Sequence, residues 1–191
     1  MDIRVRITGF GGQGVITAGY ILGNAVSVYD DKQAVFTQSY GPEARGSACS
    51  AQVAISDKPI LRPFFKQHDI LVALSQEGFD KYIEQTIEGG TVLVDEDLVE
   101  VHSLPPKVKF AAIPSTQIAE KTFNNRIVTN IVMLGFLTSF TNIVSKEGMQ
   151  ESVLSVVPKR TVKLNTDALS YGFDFIPEKK PVKEKVKADA E

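Results

Sequence analysis

Apolar and polar residues alternate at the start of the chain, Ile3-Arg4-Val5-Arg6-Ile7, and this period of two predicts a β-strand. A glycine-rich run breaks the alternation. From Val15 to about Val28 the period lengthens to that of a helix, with Val15, Ala18, Leu22 and Ala25 on one face and Gly19 and Gly23 on an adjoining one. Each glycine weakens such a helix by about 1 kcal/mol, so close packing against a sheet is the expected compensation. Ala34–Thr37 and Ala51–Ser56 read as strands whose short connection suits an antiparallel pair. The continuous apolar run Ile70–Leu74 marks a strand covered on both faces. After it, Ser75 is an expected N-cap and Glu77 complements the first turn of a helix reaching about Gln85. Gly89-Gly90 is expected to stop that helix before a strand at Thr91–Asp95.

Lys109–Ile113 predicts a further strand, and Pro114-Ser115 opens a helix through Lys121. The stretch from Ile127 to Ser145 is uncharged and long enough to pose the membrane question. Its Thr129, Asn130, Thr138, Ser139, Thr141, Asn142 and Ser145 would each need a partner in lipid, which favours a buried core helix ending near Phe140. Helices at Lys146–Val156 and Thr161–Tyr171 follow, the second with Gly172 at its expected C′ position. The elements add up to a three-layer α/β/α domain over residues 1–176 with a mixed, mainly parallel sheet. Residues 177–191 carry five lysines, four acids and no aromatic, and read as a charged, disordered tail.

Composition narrows the function. The 191 residues are 43% hydrophobic and 23% charged, an ordinary globular balance. A formal charge of -2, from 21 Lys+Arg against 23 Asp+Glu, favours neither nucleic acid nor an acidic membrane as partner. The start of the chain has no secretory h-region, so a cytoplasmic location is expected. Cys49 is the one cysteine; alone it cannot form an internal disulfide, ligate a cluster or build a thiolate zinc site.

Two loops carry the candidate chemistry. Gly9-Phe10-Gly11-Gly12-Gln13-Gly14 matches G-x-G-x-x-G between a strand and a helix, where glycines let a phosphate approach backbone N–H groups. Gly9, Gly11, Gly12, Gln13 and Gly14 are therefore candidate ligand-binding residues. A nicotinamide dinucleotide also needs an acid at the end of the next strand, and Phe36-Thr37-Gln38-Ser39 supplies none. The second loop sets Gln38, Tyr40, Gly41, Glu43, Arg45 and Gly46 together as a substrate or interface loop; a surface turn with a Glu43–Arg45 pair is the plainer alternative. His68 and His102 fall in expected loops without metal spacing. Asp95-Glu96-Asp97 reads as a solvated loop more readily than as a cation site. Cys49 reads as a buried apolar side chain.

GFGGQGVITAG at 9–19, TQSYGPEARG at 37–46, ISDKPI at 55–60, IPSTQIAEK at 113–121, NRIVTNIVMLG at 125–135 and NTDALSYGF at 165–173 together resemble the gamma subunit of 2-oxoacid:ferredoxin oxidoreductases. Ser47 departs from the family's pattern, which has a second glycine after Gly46. The resemblance implies a complex that oxidatively decarboxylates a 2-oxoacid to an acyl-CoA and passes electrons to ferredoxin, using thiamine diphosphate with Mg, iron–sulfur clusters and coenzyme A. The resemblance implies that thiamine diphosphate and the clusters belong to thiamine-binding and iron–sulfur partner chains, since this chain lacks their motifs. It is left with an assembly role and a place beside coenzyme A or substrate access, and it is expected to be inactive alone. The loop wording leans toward 2-oxoglutarate over pyruvate. An independent nucleotide- or flavin-binding protein using the glycine turn alone is the alternative.

Overall fold

The computed structural model describes residues 2–40 and 48–178. Six strands form one sheet in the order β2-β3-β1-β4-β5-β6. They are β1 (Asp2–Phe10), β2 (Gln33–Tyr40), β3 (Ala48–Ser56), β4 (His68–Ala73), β5 (Thr86–Asp95) and β6 (Lys109–Ile113). β1, β4, β5 and β6 run parallel, while β3 lies antiparallel between β1 and β2. The expected mixed, mainly parallel sheet is the one found. Crossovers supply α1 (Val15–Asn24) and α2 (Gln76–Tyr82), and after β6 the described chain continues in α3 (Ser115–Lys121), α4 (Thr129–Thr141), α5 (Lys146–Val156) and α6 (Val162–Asp174).

The alternation of β1 sorts the layers. Val5 and Ile7 face the larger core, shared with Ile21 and Leu22 of α1, Leu134 and Phe136 of α4, Met149 of α5 and Leu169 of α6. The opposite face carries Leu71, Ala73, Val92 and Val94 against Phe79 and Ile83, with Val99 and Val101 of the following loop. One face of the sheet is thus covered by five helices and the other by α2 and loops.

The first helix reaches about as far as expected, its last turn wound differently, and two other expectations needed correction. Beyond Asn24 the first helix continues through one π turn, Ala25–Tyr29. The helix after Ser75 ends well before Gly89: a 3-10 turn closes at Gln85, and Thr86 already pairs with His68 in the ladder. Gly172 does not terminate the last helix, which runs to Asp174. It sits buried where α6 crosses α4, and a Cβ there would run into the Val132 carbonyl and stand 2.9 Å from the Phe136 nitrogen. Gly135 occupies the matching position on α4. A glycine pair at a crossing lets two backbones meet closely, which is a packing role rather than a helix stop.

α4 is the buried core helix expected of the uncharged stretch, with every residue from Thr129 to Thr138 buried. Its hydroxyls are satisfied internally: Thr138 donates to the Leu134 carbonyl at 2.8 Å and Ser139 to that of Phe173 at 2.6 Å. Among the described residues no helix is long and apolar enough to cross a membrane.

Candidate functional site

The glycine run turns β1 into α1 at the carboxyl edge of the parallel strands, where doubly wound sheets place ligands. Gly9 still belongs to β1, and the turn proper occupies Gly11–Gln13. Gly12 (φ 97°) and Gly14 (φ 72°) take left-handed conformations that other residues adopt only with strain. Space beside Gly12 is open, whereas a Cβ on Gly14 would collide with the amide of Asn130. That amide donates to the Gly14 carbonyl at 3.1 Å, so α4 holds the start of α1 in place.

Gln13 has both ends of its side chain committed. Its Oε1 accepts from the Phe10 N–H at 2.6 Å, and its Nε2 donates to the Leu74 carbonyl at 2.8 Å. The residue latches the turn to the end of β4.

Beside this turn lies a cleft of about 310 Å³ lined by Gly12, Gln13, Thr116, Arg126, Ile127 and Thr129. Its polar groups differ in availability. Thr116 donates its hydroxyl to Asp95 at 2.7 Å and Thr129 to the Arg126 carbonyl at 2.8 Å. The Arg126 guanidinium is largely exposed and, among the described residues, pairs with Glu120 at 3.5 Å. The first turn of α1 has neither a side-chain cap nor an acidic residue. By contrast, Ser75 caps α2 through the Gly78 N–H, as expected, and Ser145 caps α5. The cleft therefore offers a positive helix end and a guanidinium to one incoming group.

Asp95 overturns the solvated-loop expectation. It is fully buried at the end of β5, where one carboxylate oxygen accepts from Ser115 Oγ (2.6 Å), the Thr116 N–H (2.9 Å) and Thr116 Oγ1 (2.7 Å). Asp97 takes the Gln117 N–H at 3.1 Å. The two acids cap α3 from a neighbouring strand. Burial pushes the Asp95 carboxyl above the usual range, opposed by these hydrogen bonds. His68 is likewise no loop residue: it opens β4, fully buried, with Nε2 3.0 Å from Thr86 Oγ1. His102 stands partly exposed beside Glu100. Cys49 is buried as expected, and burial raises its thiol pKa, against the reactive thiolate. Among the described residues no group of three or more His, Cys, Asp or Glu side chains gathers as a metal site.

Of the second loop, Gln38 is exposed on β2 and Tyr40 closes that strand. Gly41, Glu43, Arg45 and Gly46 lie outside the described residues. The ladder register nevertheless sets Tyr40, Cys49 and Gly9 in one row across β2, β3 and β1. With strands about 4.8 Å apart, both ends of that loop leave the sheet on the glycine turn's edge, about 10 Å from Gly9 at Tyr40. Sequence reading missed Thr116, Arg126 and Thr129, which reach the turn from segments more than 100 residues away. The nearest signal was the Asn124-Asn125 pair, read as a break ahead of the apolar helix.

Fold and site together define a mixed α/β domain whose glycine turn lies on the ligand edge without a dinucleotide binder's geometry. The antiparallel β3 separates β1 from β2, where such a binder pairs its first two strands directly. The chain belongs to the pyruvate ferredoxin/flavodoxin oxidoreductase family, whose model matches residues 4–175. Within it, the chain is a gamma-type subunit of a 2-oxoacid:ferredoxin oxidoreductase. It is 53% identical over 179 residues to the 2-oxoglutarate synthase subunit KorC of Methanocaldococcus jannaschii, covering 93% of this chain and 96% of that one. The gamma subunit of a keto/oxoacid ferredoxin oxidoreductase from Geobacter sulfurreducens superposes with a TM-score of 0.81 at 45% identity, covering 91% of this chain and 95% of that one. A 2-oxoglutarate:ferredoxin oxidoreductase chain from Magnetococcus marinus, solved with 2-oxoglutarate, coenzyme A and succinyl-CoA bound, shares the fold (TM-score 0.80, 21% identity). The match covers 90% of this chain and 30% of that one. The independent nucleotide- or flavin-binding reading gains no support from these relatives.

Proposed function

We propose that this chain serves a complex that oxidises 2-oxoglutarate, and that its glycine-turn cleft borders the path of coenzyme A. The cleft carries the reading. Coenzyme A is rich in phosphate, and the cleft presents the uncapped start of α1, the open flank of Gly12 and the loosely held Arg126 to one anionic group. Gln13 and Asn130 keep the turn rigid, so the backbone N–H groups are aimed before a ligand arrives. Tyr40 closes β2 on the same edge, and we propose that the loop following it, which carries Glu43 and Arg45, also serves the approach of coenzyme A or substrate. The chain's contribution is to bind and orient the acyl acceptor and to hold the assembly together. Decarboxylation on thiamine diphosphate and electron transfer through iron–sulfur clusters belong to the partner chains, with ferredoxin as acceptor. The choice of 2-oxoglutarate follows the likeness to the KorC subunits and the wording of residues 37–46.

The test uses the assembled complex. Arg126→Ala and Arg45→Ala should each raise the KM for coenzyme A, by about tenfold for the removal of one charge-assisted contact, with kcat little changed. Unchanged KM values in an intact complex would remove coenzyme A from the cleft. A panel of 2-oxoacids assayed with the same preparation names the substrate: preference for pyruvate would overturn the 2-oxoglutarate assignment.

A further inference from the structure

Between β3 and β4 the chain runs for eleven residues, Asp57 to Gln67, without helix or strand. Its middle reads Pro59-Ile60-Leu61-Arg62-Pro63-Phe64, and it presents Leu61 and Phe64 to solvent at 89% and 80% exposure. Two large apolar side chains held almost wholly in water, on a loop whose Pro59 and Pro63 limit its freedom, are unusual on a monomer surface.

The loop is anchored from below. Arg6 of β1 is 96% buried by the packing around it (4% exposed), lies 4.2 Å from the Tyr82 ring centroid and reaches the Phe65 and Lys66 carbonyls at 3.4 and 3.5 Å. A buried guanidinium thus ties down the second half of the loop while its tip points outward. Against the tip lies a second cleft, of about 630 Å³, walled by Ile3, Ile55, Ile60 and Leu61 and rimmed by Lys58 and Arg62. Among the described residues neither rim cation enters an ion pair, whereas Arg4 deeper in the cleft is matched by Asp69 at 3.0 Å. Lys58, Arg62 and Lys66 outnumber Asp57 of the loop and Asp2 of the cleft wall, so the apolar patch keeps a net positive surround.

Charge selects the occupant. A second copy docked face to face would set these cations against themselves. The chain's own residues 179–191 carry five lysines and three acids, which is the wrong sign. We infer that the loop Asp57–Gln67 and its cleft are the docking surface for an acidic, apolar-tipped segment of another subunit of the oxidoreductase complex. The inference rests on the subunit reading above. In the Magnetococcus relative the same fold fills 30% of a longer chain, so there the domain is joined covalently to other parts of its enzyme.

The experiment places a photoreactive phenylalanine analogue at Phe64 in the full chain and irradiates the purified complex. A cross-link to an acid-rich segment of a different subunit is expected. A cross-link within the chain or to a second copy overturns the inference. In parallel, Lys58→Glu/Arg62→Glu should weaken binding to the remaining subunits by about tenfold or more, with the salt dependence of association reduced. Thermal unfolding of the variant chain alone should match wild type. Assembly of this variant with wild-type affinity would refute the surface while leaving the subunit reading intact. A wild-type chain that never associates with thiamine- or cluster-bearing subunits would refute the subunit reading itself.

Discussion

Sealed at the head of β4, the His68 ring is held neutral. Burial lowers its pKa from 6.5 to about 3, and the charges of Arg6 and Arg4 add to the effect. In the unfolded chain the same ring takes a proton near its ordinary pKa, so the unfolded state binds more protons between these two values. His68's contribution to stability is therefore complete above the unfolded pKa and is lost as the pH falls toward the folded one. The loss should reach about 2 kcal/mol between about pH 7 and pH 5. Urea denaturation at the two pH values checks this, with His68→Gln as the comparison. The variant's stability should change less over that interval, and an undiminished slope would assign the acid sensitivity to other groups. Asp95 works in the opposite sense. Its raised carboxyl pKa gives stability that is full below the unfolded pKa and declines as pH rises through the folded one. Its hydrogen bonds to Ser115 and Thr116 make it a structural cap, and Asp95→Ala should cost about 2 to 3 kcal/mol by leaving three buried donors unmatched. A loss well under 1 kcal/mol in the same titration would mean that water replaces the carboxylate.

Packing of elements adds a constraint that single residues hide. α4 and α6 approach so closely at Gly135 and Gly172 that an added Cβ on either meets backbone of the other helix, which cannot swing aside as a side chain can. Gly172→Ala should destabilise the fold by about 2 kcal/mol or more, measured by thermal or urea unfolding. A neutral result would show that the helices slide apart freely. The same site marks the limit of reading elements from sequence. Strands with clear alternation or continuous apolar runs, and helices with a serine cap such as α2 and α5, were legible because their signals are local. β6, α3 and α5 keep their expected bounds. Gly172 was misread because a glycine after a helical period serves equally as a stop or as a crossing point, and only the partner helix decides. His68 and Asp95 were misread for a related reason. Their surroundings are built by Thr86, Ser115 and Thr116 on neighbouring elements, and strand order is not written in the local pattern. The glycine turn was legible from spacing, but Arg126 and Thr129 of the cleft come from a distant segment and carry no motif.

At the scale of the molecule, the arrangement separates stability from chemistry. Five helices bury the larger core on one side of the sheet, while the glycine-turn cleft and the Leu61–Phe64 loop lie at its margins. The larger core is built from buried side chains of the sheet and five helices of this one chain, and the fold is expected to stand without a ligand or a partner. The chain should therefore unfold cooperatively by itself, with circular dichroism and intrinsic fluorescence giving coincident transitions. It should also be inert by itself. Its single cysteine is buried in β3 with a raised pKa, and among the described residues no His, Cys, Asp or Glu cluster gathers as a metal site. Incubated with 2-oxoglutarate, coenzyme A and an electron acceptor, the isolated chain should give no acceptor reduction, and adding the remaining subunits should restore it. Turnover by the isolated chain would contradict the division of labour, because the catalytic groups would then have to lie in this domain. A chain that folded only in the presence of its partners would contradict it differently, by showing that the marginal surfaces complete the core.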